Sequence, residues 1–137
     1  MSNGRAIDIR CGITAKEEHL LGTDLVLIVD DDQDILEFAA EILQTLGHNV
    51  LTARNGLEAV VILRKNARVS ILFTDIQMPR MGGEELVEVA VALRPDIRVI
   101  FTSGLTRPRG DAPFLQKPYK TADLARVFSP QGVSLRF

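Results

Sequence analysis

The sequence predicts an α/β fold, a doubly wound parallel sheet of five strands with helices on both faces. Four uninterrupted apolar runs are typical of strands buried on both sides, and a shorter fifth strand candidate lies among them. Helical patterns separate these runs, as in βαβ units. The 137 residues are enough for one such domain and too few for two.

Composition argues against several classes of function. A net charge of −2 provides no basic field for nucleic acid and no polybasic patch for a membrane surface. No apolar run approaches the ~20 residues of a membrane span, and the N-terminus lacks a signal-peptide pattern, so the expected compartment is the cytoplasm. The single cysteine, Cys11, excludes an internal disulfide, and no neighbouring motif indicates a reactive thiol.

The first strand and helix follow an irregular beginning. Residues 1–23 show no sustained period and are interpreted as a tail or linker, with the domain at 24–130 and a second tail at 131–137. "LVLIVD" from Leu25 predicts the first strand, and Gly47 marks the end of the helix after it. That helix is expected to bury a stripe formed by Ile35, Phe38, Ala39, Ile42 and Leu46.

The middle of the chain repeats this pattern. "NVLTA" is a short strand candidate, and Asn55 is expected to cap a helix that ends near Asn66, with Glu58 completing a capping box. "SILFTD" predicts the next strand, and the helix after it ends at the Arg94–Pro95 pair. The apolar stripe of that helix is expected to contain Leu86, Val89, Ala90 and Leu93.

The last third contains two strand candidates, "IRVIFTS" and "PFLQK". A brief final helix follows, which Thr121 is expected to cap and Pro130 to close.

Each of the four apolar strands ends in a chemically useful group. Asp30 and Asp31 follow the first strand, Asp75 ends the next apolar run, and Thr102 and Lys117 end the last two. Because ligands bind at the carboxyl ends of parallel strands, these side chains are expected to form one site. Each alone also fits a structural role, such as a helix-start charge, a turn or a solvated lysine.

The combination indicates phosphoryl transfer to an aspartate. Three carboxylates from neighbouring strands repel one another unless a cation neutralises them, and oxygen ligands without Cys or His suit Mg²⁺. A lysine and a hydroxyl at the same edge offer a charge and a hydrogen bond to anionic oxygens. Catalysis would then depend on positioning and charge neutralisation.

Four motifs, "VLIVDDD", "LFTDIQMPRMGG", "VIFTSG" and "FLQKP", resemble in this order the receiver domain of bacterial two-component response regulators. The resemblance covers residues 25 to about 128 and implies the flavodoxin-like strand order 2-1-3-4-5. It implies that Asp75 is the phosphoacceptor, with a histidine kinase or histidine phosphotransfer protein as donor. It also implies a Mg²⁺ site, in which Mn²⁺ can substitute, formed by Asp30, Asp31, Asp75 and the backbone carbonyl of Gln77.

The resemblance implies further roles at the same edge. Thr102 and Lys117 would hold the phosphoryl oxygens and act with Asp75 as the catalytic residues. Phe114 matches the aromatic residue of the family's Thr–aromatic switch, and Pro118 matches a position where the family often has a cis bond. Asp32 is expected to be a helix-start charge rather than a ligand.

The segment between Thr102 and Lys117 departs from the family pattern, which places a fourth helix here. Its 14 residues include Pro108, Pro113 and two glycines, which disfavour a helix. We expect the fourth helix to be missing or replaced by an irregular loop with no helix longer than about one turn. Because that helix belongs to a face used for dimerisation in many receivers, a homodimer remains an open question.

The resemblance implies a signalling module that promotes its own phosphoryl transfer and dephosphorylation, rather than an enzyme. The short loop is similar to that of receivers that are single-domain or attached to hybrid histidine kinases, and "LGTDLVLIVDDD" resembles the join before a terminal receiver in such kinases. The chain is therefore either a stand-alone receiver or the terminal part of a hybrid kinase. No direct contact with nucleic acid or membrane is expected, and the arginines at 107 and 109 are interpreted as a solvated loop.

Two other functions compete with this hypothesis. A Mg²⁺-dependent phosphatase with an aspartyl nucleophile would use a second acid two residues later, as Asp30 and Asp32 permit, but no insertion is large enough for a substrate cap. A flavodoxin-like FMN binder needs a Gly/Ser/Thr phosphate loop after the first strand, where three aspartates would instead repel the phosphate.

Overall fold

The computed structural model describes residues 24–105, 110 and 112–128, and these residues form a five-stranded parallel sheet. The strands are Leu25–Val29 (β1), Asn49–Ala53 (β2), Val69–Asp75 (β3), Arg98–Ser103 (β4) and Phe114–Gln116 (β5). Their order across the sheet is β2-β1-β3-β4-β5, and every neighbouring pair is parallel. The expected fold class and strand order are confirmed.

Helices cover both faces of this sheet. They are Gln33–Thr45 (α1), Gly56–Lys65 (α2), Gly83–Leu93 (α3) and Thr121–Phe128 (α4). Val26 and Ile28 of β1 pack in the core cluster beneath α1 and α4, whereas Leu27 and Val29 pack in the cluster beneath α2 and α3. Because successive strand residues face opposite sides, a strand covered on both faces needs an unbroken apolar run.

Local signals define where these helices begin and end. Asn55 caps α2, because its side-chain oxygen accepts a hydrogen bond of 2.8 Å from the N–H of Glu58. Gly47 follows α1 with a φ of 100°, a left-handed conformation that glycine adopts without steric cost. α3 ends at Leu93, before the Arg94–Pro95 pair.

The buried face of α1 differs from the expected stripe. Leu36 and Leu43 are fully buried, whereas the expected core residues Phe38 and Leu46 are 39 % and 42 % exposed. Of the expected stripe only Ala39 is fully buried. α1 carries apolar residues around much of its circumference, so periodicity alone did not distinguish two adjacent stripes.

Two smaller expectations about helices were also wrong. In α3, Leu86 and Ala90 are buried as expected, but Leu93 lies exposed on the last turn. Thr121 is the first residue of α4 rather than its cap, and the carboxylate of Asp123 instead accepts the N–H of Lys120 at 2.9 Å.

The described residues between β4 and β5 contain no helix. Gly104, Leu105, Gly110, Ala112 and Pro113 all lie outside helical structure, which confirms the expected loop for this part of the segment. Predictions for 106–109 and 111, and for the tails with Cys11 and Pro130, fall outside the described residues. Among the described helices, none has both the length and the apolar character needed to cross a membrane.

Candidate functional site

The carboxyl edge of the sheet brings together the acidic residues that the sequence singles out. Asp30 follows β1 directly, and Asp75 is the last residue of the adjacent β3. Carboxylate oxygens of Asp30, Asp31 and Asp75 lie within 4.8 Å of one another. Asp30 and Asp75 are buried while Asp31 is exposed, so this acidic cluster is open to solvent at Asp31.

Lys117 contacts the acidic cluster from the end of β5. Its Nζ lies 2.8 Å from Oδ2 of Asp30 and 3.3 Å from Oδ2 of Asp75. β5 runs parallel to β4, and therefore brings Lys117 to the same edge of the sheet as the acids. When all four groups are ionised, three carboxylates and one ammonium leave a local charge of minus two.

Burial and crowding change the acidity of these groups. Burial raises the pKa of Asp30 above its usual value, although the hydrogen bond from Lys117 opposes this effect. Burial, and then the charge of Asp30, raise the pKa of Asp75. For Lys117, burial acts to lower the pKa, but the hydrogen bonds and charges of the two acids outweigh it and the pKa is raised. All three shifts favour additional positive charge in the site.

The donor set fits a hard divalent cation. The clustered ligand atoms are all carboxylate oxygens, the donors that Mg²⁺ prefers. Backbone groups hold the two buried acids in place: Oδ1 of Asp30 accepts the N–H of Asp32 at 2.9 Å, and Oδ1 of Asp75 accepts the N–H of Gln77 at 3.2 Å. A ligand role for the carbonyl of Gln77 remains a prediction.

Asp32 lies next to the acidic cluster but serves helix α1. Its Oδ1 accepts the N–H groups of Asp34 and Ile35 at 3.0 Å and 3.3 Å, which makes it the N-cap of the helix. The expected helix-start role is confirmed. The structure therefore gives Asp32 a structural task, although an aspartyl phosphatase would need it as the second acid.

Thr102 lies beside Asp75 in the sheet, but its hydroxyl is engaged elsewhere. The two residues are paired in the register of β3 and β4. Oγ1 of Thr102 donates a hydrogen bond of 2.7 Å to the carbonyl of Leu115 in β5. Phe114 is half-buried at the start of β5, at the other end of that strand from Lys117.

Tyr119 supports the site and was not identified from the sequence. It follows the Lys117–Pro118 peptide bond, which is cis, as the family resemblance implied. Its ring packs against Phe73 and Phe38, with centroid distances of 5.7 Å and 6.2 Å. Burial, followed by the charges of the two buried acids, raises its pKa. Its place directly after "KP" is a weak signal in the sequence, because a single aromatic residue has no spacing pattern.

Gly83 allows α3 to pack directly on the backbone of the acidic cluster. Its N–H donates to the carbonyl of Ile76 at 2.8 Å, and a Cβ at this position would lie 2.2 Å from the carbonyl oxygen of Asp75. No other residue fits this approach without moving the backbone. The "MGG" motif therefore has a steric reason at its second glycine.

Comparison with known proteins identifies relatives of the whole domain. The family model for the response regulator receiver domain matches residues 26–128. The response regulator receiver protein CpdR of Brucella abortus is 35% identical over 107 residues, which cover 72% of this chain and 88% of that protein. Sensor kinase CckA of the same organism is 33% identical over 119 residues, 80% of this chain but only 13% of the kinase.

Solved structures show the same architecture. The crystal structure of the receiver domain from hybrid histidine kinase CckA has a TM-score of 0.71 and 30% identity, over 79% of this chain and 98% of that domain. A CheY-like receiver domain protein from Methanospirillum hungatei has a TM-score of 0.74 and 28% identity, over 82% and 95% of the two chains. The chain belongs to the response regulator receiver domain family.

Proposed function

We propose that this chain is a phospho-accepting signalling module that takes a phosphoryl group onto Asp75 from a histidine kinase or histidine phosphotransfer protein. The observation that carries the proposal is the contact of one ammonium group, that of Lys117, with both Asp30 and Asp75 inside a cluster of three acids. A cluster of this kind at the carboxyl edge of a receiver-family sheet suits an anionic transition state.

We propose Asp30, Asp31, Asp75 and the backbone carbonyl of Gln77 as the residues that hold Mg²⁺, or Mn²⁺ in its place. The local charge of minus two and the raised pKa values of Asp30 and Asp75 support this assignment. When bound, the ion neutralises negative charge on the transferring phosphoryl group.

The residues of the chain then have separate roles in the transfer. A carboxylate oxygen of Asp75 attacks phosphorus as the bond to the donor's imidazole nitrogen breaks, and the electron pair of that bond remains on the nitrogen. Lys117 moves from its carboxylate partners to a phosphoryl oxygen. Because this charge is already held beside Asp75, the site needs little rearrangement to reach the transition state.

The conformational response would begin at Thr102. To donate to a phosphoryl oxygen, its hydroxyl must leave the carbonyl of Leu115, the residue after Phe114. Phosphorylation would thus change one bond between β4 and β5 beside the half-buried ring of Phe114, which suits a Thr–aromatic switch. We propose Phe114 as the residue that reports the change at the surface.

We also propose domain bounds, a type of protein and a compartment, on the basis of the same similarities to known proteins. A domain at 24–130 between two tails agrees with the family match at 26–128. Similarity to both a receiver protein and a sensor kinase fits either a stand-alone receiver or the receiver of a hybrid kinase. We propose a cytoplasmic module without a direct nucleic-acid ligand. The phosphatase alternative receives no support from these relatives.

Intact-mass spectrometry after incubation with Mg²⁺ and a small phosphodonor tests the proposal. The chain is expected to gain one phosphoryl group, and Asp75→Asn is expected to gain none. Asp32→Asn is the matched control, because asparagine still caps α1 and the acidic cluster keeps its three acids. Labelling of Asp75→Asn at the unmodified rate would refute the assignment, and rapid turnover of unrelated phosphoesters would favour a phosphatase.

A further inference from the structure

Lys117 contacts acids that follow two other strands, although it lies just past the shortest strand of the described sheet. That strand, β5, has three residues and lies at the edge of the sheet, where it pairs with β4. The N–H of Lys117 still donates to the carbonyl of Ser103 at 2.9 Å. The next residue, Pro118, has no N–H to donate. Hydrogen bonds of the sheet therefore hold the chain as far as Lys117, and packing has to hold it beyond this residue.

The ring of Tyr119 supplies this packing. Its centroid lies 5.7 Å from that of Phe73 and 6.2 Å from that of Phe38 in α1. The ring also packs against the core cluster beneath α1 and α4. Phe73 is fully buried in β3, the central strand of the sheet. The chain is thus joined to the centre of the sheet two residues after Lys117.

The contact with Phe73 places Tyr119 directly beneath the acidic cluster. Phe73 lies two residues before Asp75 in β3, so the two side chains face the same side of the sheet. Phe73 is also paired in register with Ile28, which lies two residues before Asp30. Tyr119 therefore packs one layer of side chains below these two acids. Burial, followed by the charges of the same acids, raises the pKa of its phenol, which stays neutral and adds no charge to the site.

We propose that Tyr119 is a positioning residue, whose ring holds Lys117 in contact with both Asp30 and Asp75. The ring fixes the chain after Lys117, as the hydrogen bond to Ser103 fixes the chain before it. Because lysine has a flexible four-carbon side chain, the place of its ammonium group depends on where its backbone is held. The inference rests on the proposed function only for its effect on phosphoryl transfer, since the contacts of the ammonium group can be measured without a phosphodonor.

Three variants separate positioning of Lys117 from general packing. Tyr119→Leu removes the ring, whereas Tyr119→Phe keeps the ring and removes only the hydroxyl. Val127→Ala is the control for lost packing, because Val127 packs against the same core cluster from the last turn of α4. That turn lies at the amino edge of the sheet, the end opposite the acidic cluster, where the carbonyl of Phe128 accepts a hydrogen bond from His48.

NMR of the ammonium hydrogens of Lys117, in the unphosphorylated chain without Mg²⁺, measures the contact directly. Contacts with the two acids slow the exchange of these hydrogens with water, and Tyr119→Leu is expected to speed it by about threefold to tenfold. Tyr119→Phe and Val127→Ala are expected to leave the rate unchanged, although Val127→Ala lowers the melting temperature. An unchanged rate in Tyr119→Leu would overturn the proposal, and so would an equal increase in either of the other two variants.

The rate of labelling by a small phosphodonor with Mg²⁺ measures the consequence for phosphoryl transfer. Tyr119→Leu is expected to lower the initial rate by about tenfold, because a small displacement of Lys117 weakens its hold on the phosphoryl oxygens. Tyr119→Phe and Val127→Ala are expected to keep the unmodified rate. An unmodified rate in Tyr119→Leu would overturn the proposal. If no chain gained a phosphoryl group, the proposed function would be refuted, and the exchange of the ammonium hydrogens would still decide whether Tyr119 positions Lys117.

Discussion

At the carboxyl edge of the sheet like charges are buried together, whereas at the amino edge side chains satisfy the ends of helices. Asp30 and Asp75 are both buried beside exposed Asp31, with Lys117 as their shared partner. At the other edge, His48 donates from Nε2 to the carbonyl of Phe128 at 2.9 Å. The side chains of Asn66 and Arg94 donate in the same way to carbonyls near the end of α2.

The two edges therefore have different roles. The amino edge contributes to the stability of the fold, and the carboxyl edge holds the groups that are suited to chemistry. Hydrogen bonds to helix-end carbonyls at the amino edge each stabilise the fold by about 1 kcal/mol. Crowded carboxylates at the carboxyl edge oppose folding until a cation or a proton neutralises them. The sheet and its amino edge therefore stabilise an acidic cluster that would not be stable by itself.

The largest difference in stability between the two edges should appear when one glycine at each edge is replaced by alanine. Gly83→Ala is expected to lower the free energy of unfolding by about 3 kcal/mol, because its Cβ would meet backbone atoms of Asp75 and Ile76 that cannot move aside. Gly47→Ala, with open space around its Cβ but a φ of 100°, is expected to cost only about 1 kcal/mol. Urea unfolding measures both, and equal costs would show that the carboxyl edge is not the more tightly packed one.

Removal of the ammonium at the carboxyl edge should have the next largest effect. In the absence of Mg²⁺, Lys117→Met is expected to lower the free energy of unfolding by about 2 kcal/mol, because the buried acids lose their shared partner. Arg126→Met is the control, since the Arg126–Asp123 pair is exposed and such pairs contribute little to stability. A cost for Lys117→Met no larger than for Arg126→Met would contradict the role assigned to this ion pair.

Removal of a carboxylate from the acidic cluster should instead raise the free energy of unfolding. Asp75→Asn is expected to raise the free energy of unfolding by about 1 kcal/mol at pH 7 without Mg²⁺, because one of the clustered charges disappears while the Asp30–Lys117 pair remains. Asp32→Asn, at the cap of α1, is expected to change stability by only a few tenths of a kcal/mol. Destabilisation by Asp75→Asn would show that the cluster is not under electrostatic strain.

The free energy of unfolding should also depend on pH, and it should fall as the carboxyl group of Asp75 loses its proton. The folded-state pKa of Asp75 lies above the ordinary 3.8, so the stability that its protonated form contributes is complete below that value and is lost as pH rises through the folded pKa. Without Mg²⁺, the unmodified chain should therefore lose more stability than Asp75→Asn between pH 4 and pH 7. Urea unfolding at both pH values measures the difference, and parallel curves would contradict the raised pKa.

The sequence predicted the fold, and it predicted that Asp30, Asp31, Asp75 and Lys117 meet at one edge of the sheet, because both depend on local patterns. Unbroken apolar runs defined the strands, and the polar residue after each run located the carboxyl edge before any contact was known. The hydrogen bond between Thr102 and Leu115 was not predictable in this way, because it depends on side-chain rotamers across two strands. The close approach of Gly83 to Asp75 depends on how α3 packs, which no periodicity encodes.

The buried face of α1 also could not be predicted from local sequence alone. Leu36 and Phe38 are both large and apolar, and only the position of the sheet decides that Leu36 is buried while Phe38 lies at the edge against Tyr119. Tyr119 itself was missed because a single aromatic residue after "KP" carries no spacing pattern. Residues placed by local sequence were thus predictable, and residues placed by packing between elements were not.

The central claim, that the acidic cluster is stabilised by a divalent cation, is tested most directly by the melting temperature with and without Mg²⁺. Because the cation would bind the folded chain, Mg²⁺ at about 100 times its dissociation constant should stabilise the unmodified protein by about 2.7 kcal/mol. Asp31→Ala, which removes the exposed acid of the cluster and no core contact, should lose most of this shift. A melting temperature that does not respond to millimolar Mg²⁺, or an equal response in Asp31→Ala, would contradict the claim.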